Sequence, residues 1–113
     1  MITGQNLIGG EWSALGHDTF FSVNPRTRSK DNIPFSNATD DEVDLAVSRA
    51  AEAFKVSRLY SAEILATFLD AVADAIENLG DALIDIADAE TGLGRARLEG
   101  ERGRTTGQLR LFG

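Results

Sequence analysis

The amino-acid sequence predicts an α+β fold, with an N-terminal β-hairpin and extended strands over residues 1–36 and about four helices over residues 37–113. Two observations support this class. A Gly9-Gly10 dipeptide separates two short runs of strand-forming residues near the N-terminus. From residue 39 onward, apolar residues recur at the three- and four-residue spacing that is typical of helices. We expect one segment here rather than two domains, because a domain averages roughly 150 residues.

The first 36 residues contain three candidate extended stretches. Leu7-Ile8 and Glu11-Trp12 flank the glycine pair, which accepts the positive φ angles of a tight hairpin turn. The run from Thr19 to Val23 is rich in β-forming residues, and it ends at Asn24-Pro25, a dipeptide typical of turns. Residues 33–35 predict a further short extended stretch.

A first helix is predicted to begin after Thr39. This residue and Glu42 have the spacing of a capping box, and the acidic residues Asp40 and Asp41 favour the positive end of a helix dipole. The apolar residues that follow lie on one helical face: Val43, Ala46, Val47, Ala50 and Phe54.

Two further helices are predicted between Ser61 and Gly92. The first begins near Ser61, and Gly80 is its expected stop. Its apolar stripe consists of Leu65, Phe68, Leu69, Val72, Ile76 and Leu79. The second is shorter, runs from about residue 81 to residue 91, and ends at Gly92; its apolar residues are Leu83, Ile84 and Ala87.

The last predicted helix, over residues 95–112, is rich in glycine. One face carries Leu98, Thr105, Leu109 and Phe112, and another carries Ala96, Gly100, Gly103 and Gly107. Three glycines cost roughly 3 kcal/mol of helix propensity relative to alanine. We therefore expect partners on both faces, with the earlier helices against the apolar face and protein outside this chain against the glycine face.

The net charge of −7 argues against binding to nucleic acid or to an anionic membrane. The charge is unevenly distributed, since residues 59–94 contain eight acidic and no basic residues, whereas residues 95–113 contain five arginines and two glutamates. This pattern predicts a basic helix lying against acidic ones. The alternative, a nucleic-acid-binding arm, is less favoured because no aromatic residues alternate with the arginines to stack on bases.

No catalytic, cofactor-binding or metal-binding residue is predicted in this sequence. The sequence has no cysteine and a single histidine, His17, so it offers neither a thiol nucleophile nor a multi-histidine metal site. No apolar run approaches the ~20 residues of a membrane span. The first eight residues do not resemble a signal peptide, and a cytoplasmic location is the expectation.

Four features invite a sharper interpretation than the one we favour. Gly92-Leu93-Gly94 opens like a dinucleotide fingerprint, but a helix and not a strand precedes it, and helix punctuation explains it better. Carboxylates at helical spacing could bind a metal, but a solvated helix face accounts for them: Asp70, Asp74, Glu77, Asp81, Asp85 and Asp88.

The other two features lie before the helices. Trp12 could stack on a ligand, although an anchor that packs the hairpin onto a core is the favoured interpretation. Arg26, Arg28 and Lys30 could contact a phosphate or a partner, although a solvated basic loop is favoured.

The order of several short motifs nevertheless resembles the aldehyde dehydrogenase family. Residues 7–12, 21–27, 35–44 and 50–54 resemble that family's opening hairpin, its Asn-Pro turn and its first helix, and residues 90–93 resemble its Glu-Thr-Gly motif. Residues 95–105 and 108–112 are similar to the bacterial branch that oxidises 2-oxoglutarate semialdehyde (2,5-dioxopentanoate). Gly94, Ile64-Leu65 and Gly113 depart from the pattern of that branch.

The resemblance implies that residues 1–113 form a single N-terminal segment of a larger cofactor-binding domain. Family members oxidise aldehydes with NAD or NADP, using a cysteine nucleophile and a glutamate-activated water that lie downstream of this region. The implied function is that of a scaffold within an enzyme acting on a small oxo-acid semialdehyde. The implied partners are the remainder of the enzyme and further copies in a homo-oligomer.

A second hypothesis is a free-standing, non-catalytic helical interaction module or remnant. The coding sequence beyond Gly113 distinguishes the two, because continuation into a long chain with a cysteine and a glutamate favours the enzyme and a stop codon favours the remnant.

Overall fold

The computed structural model describes residues 2–113 and confirms the α+β class, with four strands followed by four helices. The strands are β1 (Asn6–Ile8), β2 (Glu11–Ser13), β3 (Thr19–Val23) and β4 (Lys30–Ser36). The helices are α1 (Asp40–Ser57), α2 (Ala62–Asn78), α3 (Gly80–Thr91) and α4 (Arg95–Phe112). None of these helices within residues 2–113 is long and apolar enough to cross a lipid bilayer.

The chain divides into two compact units. The first consists of the residues up to Val23 together with Arg28–Leu59, and the second consists of Asn24–Thr27 together with Tyr60–Gly113. The first unit therefore holds the strands and α1, and the second holds α2, α3 and α4. The short segment Asn24–Thr27 belongs with these three helices although it lies more than thirty residues before them in the sequence.

The predicted hairpin is confirmed. β1 and β2 pair in antiparallel register around Gly9 and Gly10, whose φ angles are +59° and +88°. Positive φ at both central residues is what a two-residue turn needs to match the twist of the strands, and glycine adopts it without strain. Trp12 lies opposite Leu7 and is 60% exposed, so its predicted role as a buried anchor is wrong for this chain.

A second hairpin, which the sequence did not reveal as such, joins β3 to β4. Phe20 pairs with Phe35, and their rings stack at 5.5 Å between centroids. Pro34 lies opposite Phe21, and the register shifts between Phe21 and Val23. A proline is tolerated here because both strands of a two-stranded sheet are edge strands, so its missing N–H does not interrupt an inner ladder.

The helix boundaries follow the predicted caps closely. Thr39 and Glu42 form the complete capping box of α1, and the Ser61 side chain accepts a hydrogen bond from the Ile64 backbone at the start of α2. Gly92 ends α3 in the left-handed conformation. Gly80, expected as the stop of α2, is instead the first residue of α3, because α2 ends at Asn78 and Leu79 alone separates the two helices.

In the second unit α4 packs mainly against α2 and also against α3. Ala73, Ile84 and Leu98 are buried, and Thr106 is 2% exposed. Thr105, which was predicted to pack in this contact, is exposed and only borders it, whereas its neighbour Thr106 is buried. Phe112 is also exposed, at 71%.

Candidate functional site

No three histidine, aspartate or glutamate side chains among residues 2–113 come together in a way that could hold a metal ion. The Gly92-Leu93-Gly94 motif acts as helix punctuation, as predicted. Gly92 ends α3, Gly94 precedes α4, and no strand leads into the motif. The absence of catalytic and cofactor-binding residues from this chain stays a prediction.

The best-defined polar cluster of the second unit is centred on Arg26 and Asp88. The Arg26 guanidinium donates to both carboxylate oxygens of Asp88, with Nη1–Oδ2 at 2.8 Å and Nη2–Oδ1 at 2.9 Å. Nη2 also donates to the carbonyl of Gly92 at 3.0 Å, and the Gly94 amide donates to Asp88 Oδ1 at 2.8 Å. One arginine and one carboxylate thereby connect the Asn24–Thr27 segment with the turn between α3 and α4.

Electrostatics in this cluster favour the charged forms of both side chains. The hydrogen bond from Arg26 and, after it, that from the Gly94 amide hold the pKa of Asp88 below its ordinary value. The Asp88 carboxylate raises the pKa of Arg26 in turn. Two expectations are corrected here, because Arg26 is not a free basic loop residue and Asp88 is not part of a simply solvated helix face. Their separation of 62 residues leaves no local pattern that could have revealed the pair.

The first unit contains a second polar cluster, built on Glu42. This side chain is 2% exposed, and it accepts hydrogen bonds from the Ser13 hydroxyl, from the Thr39 amide at 2.9 Å and from the Leu15 amide at 3.3 Å. These donors, with the Ser13 hydroxyl first, lower the pKa of Glu42 to about 2. The capping-box spacing revealed the Thr39 contact, but no sequence signal pointed to Ser13 or Leu15.

The predicted contact between a basic helix and acidic ones is confirmed. Arg95 at the start of α4 pairs with Asp81 at 2.8 Å and with Asp85, both on α3. Arg110 at the end of α4 pairs with Asp74 and Glu77 of α2, each at 2.7 Å. The Arg110 hydrogen bond is the largest cause of a lowered pKa at Glu77. The arginines of these pairs are more than a third exposed, so each pair contributes little to stability on its own.

Open apolar grooves flank α4 in the second unit. One, with a cavity volume of about 370 Å³, lies along α2 and α4 and is lined by Leu69, Arg104, Thr105, Gln108, Leu109 and Phe112. A second of about 350 Å³ is lined mainly by apolar side chains of α2, α3 and α4. The linings of both grooves are largely apolar, so the grooves offer binding surface.

Much of the apolar face of the helices is exposed. On α1 the side chains of Val43, Val47 and Phe54 are 51%, 64% and 63% exposed. On α2, Leu65 and Phe68 of the predicted stripe are also exposed, whereas Leu69, Val72 and Ile76 are partly buried. Apolar periodicity correctly placed these residues on common faces, but it does not say whether the covering protein lies within the chain.

Comparison with known proteins gives these surfaces a context. The family model of the aldehyde dehydrogenase family matches residues 12–113. The chain is 46% identical over 112 residues to alpha-ketoglutaric semialdehyde dehydrogenase 2 of Azospirillum brasilense, covering 98% of this chain. It is 44% identical over 109 residues to alpha-ketoglutaric semialdehyde dehydrogenase of Acinetobacter baylyi, covering 96% of this chain.

A solved structure shares the fold. The NAD-dependent benzaldehyde dehydrogenase from Corynebacterium glutamicum superposes with a TM-score of 0.89 over 97% of this chain, at 19% sequence identity. The chain covers 24% of that structure and 21% of each of the two sequence relatives. It therefore spans about a fifth to a quarter of the length of the proteins it matches.

Proposed function

Because this chain belongs to the aldehyde dehydrogenase family, we propose that it is the N-terminal part of a longer bacterial, cytoplasmic dehydrogenase. The complete enzyme oxidises a small oxo-acid semialdehyde to the carboxylic acid and uses NAD or NADP as the hydride acceptor. The observation that carries this proposal is the sequence identity of 46% and 44% that the two alpha-ketoglutaric semialdehyde dehydrogenases share with almost the whole of this chain.

The part played by residues 1–113 is structural. They form a single segment of the cofactor-binding domain, and the remainder of the enzyme supplies the catalytic residues and the residues that bind the cofactor. The exposed apolar faces of α1 and α2 support this role, since large exposed apolar patches mark surfaces that other protein covers. The partners are the rest of the same polypeptide and further copies in a homo-oligomer.

The substrate and cofactor are tested on the complete gene product. The coding region is read beyond Gly113, and the full protein is assayed with 2-oxoglutarate semialdehyde and benzaldehyde, each with NAD+ and NADP+. We expect the highest kcat/KM with 2-oxoglutarate semialdehyde. A stop codon directly after Gly113, or a clear preference for benzaldehyde, contradicts the proposal.

The scaffold role is tested with a chimera. Residues 1–113 replace the matching fifth of the Azospirillum brasilense enzyme, and the matched control is that enzyme without the segment. We expect the chimera to oxidise 2-oxoglutarate semialdehyde and the truncated control to be inactive. Equal activity of the truncated control shows that the segment is dispensable and contradicts a scaffold role.

A further inference from the structure

The second unit is assembled from two pieces of chain that are far apart in sequence. Asn24–Thr27 lies with α2, α3 and α4, whereas the residues on either side of it belong to the first unit. A four-residue segment has no core of its own, so specific contacts must keep it in place. The contacts that the structure shows for it converge on the turn between α3 and α4.

The segment is prepared for this contact by its own local structure. The Asn24 side chain accepts hydrogen bonds from the Arg26 amide at 2.9 Å and from the Thr27 amide at 3.3 Å, which closes an Asx turn. The ring of Pro25 fixes the φ angle of Pro25 itself within this turn. The Arg26 side chain is therefore presented from a turn with few alternative conformations, and less entropy is lost when it binds.

The entry into α4, in contrast, has no side-chain cap of its own. The α3–α4 turn that leads into it contains Gly92 and Gly94, both at positive φ. The end of α3 carries no basic residue, although its partial negative charge favours one there. Arg26 supplies that positive charge at the Gly92 carbonyl, and Asp88 accepts a hydrogen bond from the Gly94 amide, which directly precedes α4.

Close packing completes the contact. A β-carbon built on Gly92 would lie 3.0 Å from Pro25 Cγ, so any other residue would have to displace the proline ring by a few tenths of an ångström, and the φ of +67° at this position also favours glycine. The guanidinium, the carboxylate, one carbonyl and one amide then satisfy one another in a single network. Bidentate arginine–carboxylate pairs of this kind are geometrically specific as well as strong.

We propose that Arg26 and Asp88 form an electrostatic clasp that fastens the Asn24–Thr27 turn to the α3–α4 turn and sets the path by which the chain enters α4. The helical unit is in consequence discontinuous in sequence and depends on residues 24–27. This inference concerns the chain itself and does not depend on the proposed enzymatic function.

The clasp is tested by amide hydrogen exchange and NMR on the ¹⁵N-labelled 113-residue chain. Arg26→Ala should accelerate exchange of the Gly92 and Gly94 amides by about tenfold, since hydrogen bonds to charged groups are lost and local opening becomes easier. Asp88→Ala should shift the amide signals of Arg26 and Thr27, although it lies 62 residues away. In the variant that carries both Arg26→Ala and Asp88→Ala, the Gly92 and Gly94 amides should exchange less than about twofold faster than in Asp88→Ala alone, because the two side chains act through one another.

The matched control is Arg104→Ala. Arg104 also lies in the second unit, is 81% exposed, and pairs with Glu101 of its own helix. Loss of the Arg104 side chain should leave the exchange rates of the Gly92 and Gly94 amides unchanged. If Arg26→Ala does not fold, Arg26→Lys replaces it, since lysine keeps the charge but cannot make the bidentate contact, and the same acceleration is expected.

Salt gives an independent readout. Raising NaCl from 0.05 to 1 M should speed Gly94 exchange in the wild type and have little effect in Arg26→Ala, because salt screens a partly exposed ion pair. Unchanged exchange at Gly92 and Gly94 in the Arg26 variants, or unshifted Arg26 and Thr27 signals in Asp88→Ala, overturns the proposal.

Discussion

At the scale of single residues, Glu42 shows how one side chain can serve two structural purposes. Its backbone and carboxylate complete the capping box of α1, and the same carboxylate accepts hydrogen bonds from the Ser13 hydroxyl at the end of β2 and from the Leu15 amide just after the hairpin. A buried carboxylate is tolerated because each of its oxygens has donors. Glu42 thus couples the start of α1 to the strand region of the first unit.

We predict that Glu42→Gln destabilises the chain at pH 7 and that this effect becomes smaller as the pH falls below 4.5. The pKa of Glu42 is about 2 in the folded chain against an ordinary value of 4.5. A lowered pKa means that the ionised form stabilises the fold above pH 4.5, and that this contribution is lost as the pH falls from 4.5 to about 2. Urea melts of both proteins at pH 7, 4 and 3 measure the difference.

The matched control is Glu52→Gln on the exposed side of the same helix, where Glu52 pairs only with Lys55 in the contacts shown. Its effect should be small and nearly independent of pH. A difference between wild type and Glu42→Gln that stays constant from pH 7 to pH 3 would show that the carboxylate charge does not stabilise the fold.

At the scale of elements, α4 depends on its neighbours more than the other helices do. Its ends are held by Arg95 and Arg110, and its middle by Leu98 and Thr106. The predicted glycine face is open, since a β-carbon built on Gly100, Gly103 or Gly107 meets no atom within 4 Å. This agrees with the expectation that the apolar face contacts earlier helices while the glycine face does not.

We predict that Gly103→Ala stabilises the 113-residue chain by up to about 1 kcal/mol, because alanine favours the helix and restricts the unfolded chain. In the chimera, where we propose that the rest of the enzyme covers this face, the same methyl group should be overpacked and destabilise the protein by about 1–3 kcal/mol. Urea melts of the chain and of the chimera decide the sign. Destabilisation of the chain alone would mean that the face is not open.

Gly92→Ala provides the contrast within the same unit. Gly92 has a φ of +67°, and a β-carbon there would lie 3.0 Å from Pro25 Cγ. Left-handed backbone costs an alanine about 1–2 kcal/mol before any clash is counted. We expect Gly92→Ala to lower the free energy of unfolding in urea melts and Gly103→Ala to raise it. These opposite signs would show that helix-ending and helix-face glycines have different roles.

At the scale of the whole molecule, the chain has the fold of the family but little of its apolar surface is enclosed. Among residues 2–113, the buried apolar side chains are those of Ala73, Ile84 and Leu98, while large residues such as Phe54, Phe68 and Phe112 stay more than 60% exposed. The chain also spans only about a fifth of its sequence relatives. Both facts are consistent with a scaffold that is completed by further protein.

We predict that the purified 113-residue chain has no dehydrogenase activity and no specific dinucleotide site. It lacks a thiol, no three histidine, aspartate or glutamate side chains among residues 2–113 come together to hold a metal ion, and the acidic residues 59–94 disfavour phosphate binding. The chain is assayed with 2-oxoglutarate semialdehyde and both cofactors, and NAD+ and NADP+ binding is measured by calorimetry. Turnover proportional to the protein, or a micromolar site for either cofactor, would refute this prediction.

The sequence alone determined the features that depend on neighbours within about four residues. The turn at Gly9-Gly10, the caps at Thr39 and Ser61, and the stop at Gly92 all lie where local rules placed them, because a side chain and a backbone group only a few residues apart are in reach of each other in every fold. The order of short motifs was also sufficient to identify the family.

The tertiary structure decided what depends on distant partners. Two of these features, the β3–β4 pairing and the Arg26–Asp88 contact, join residues that local periodicity treats as unrelated. A third is the burial of Thr106 in place of Thr105. A helical face is a stripe of finite width, so one-residue shifts in its packing are set by the neighbouring helix and not by the pattern. Ion pairs across 62 residues form only once the chain path brings a turn to a helix end, and that path belongs to the fold as a whole.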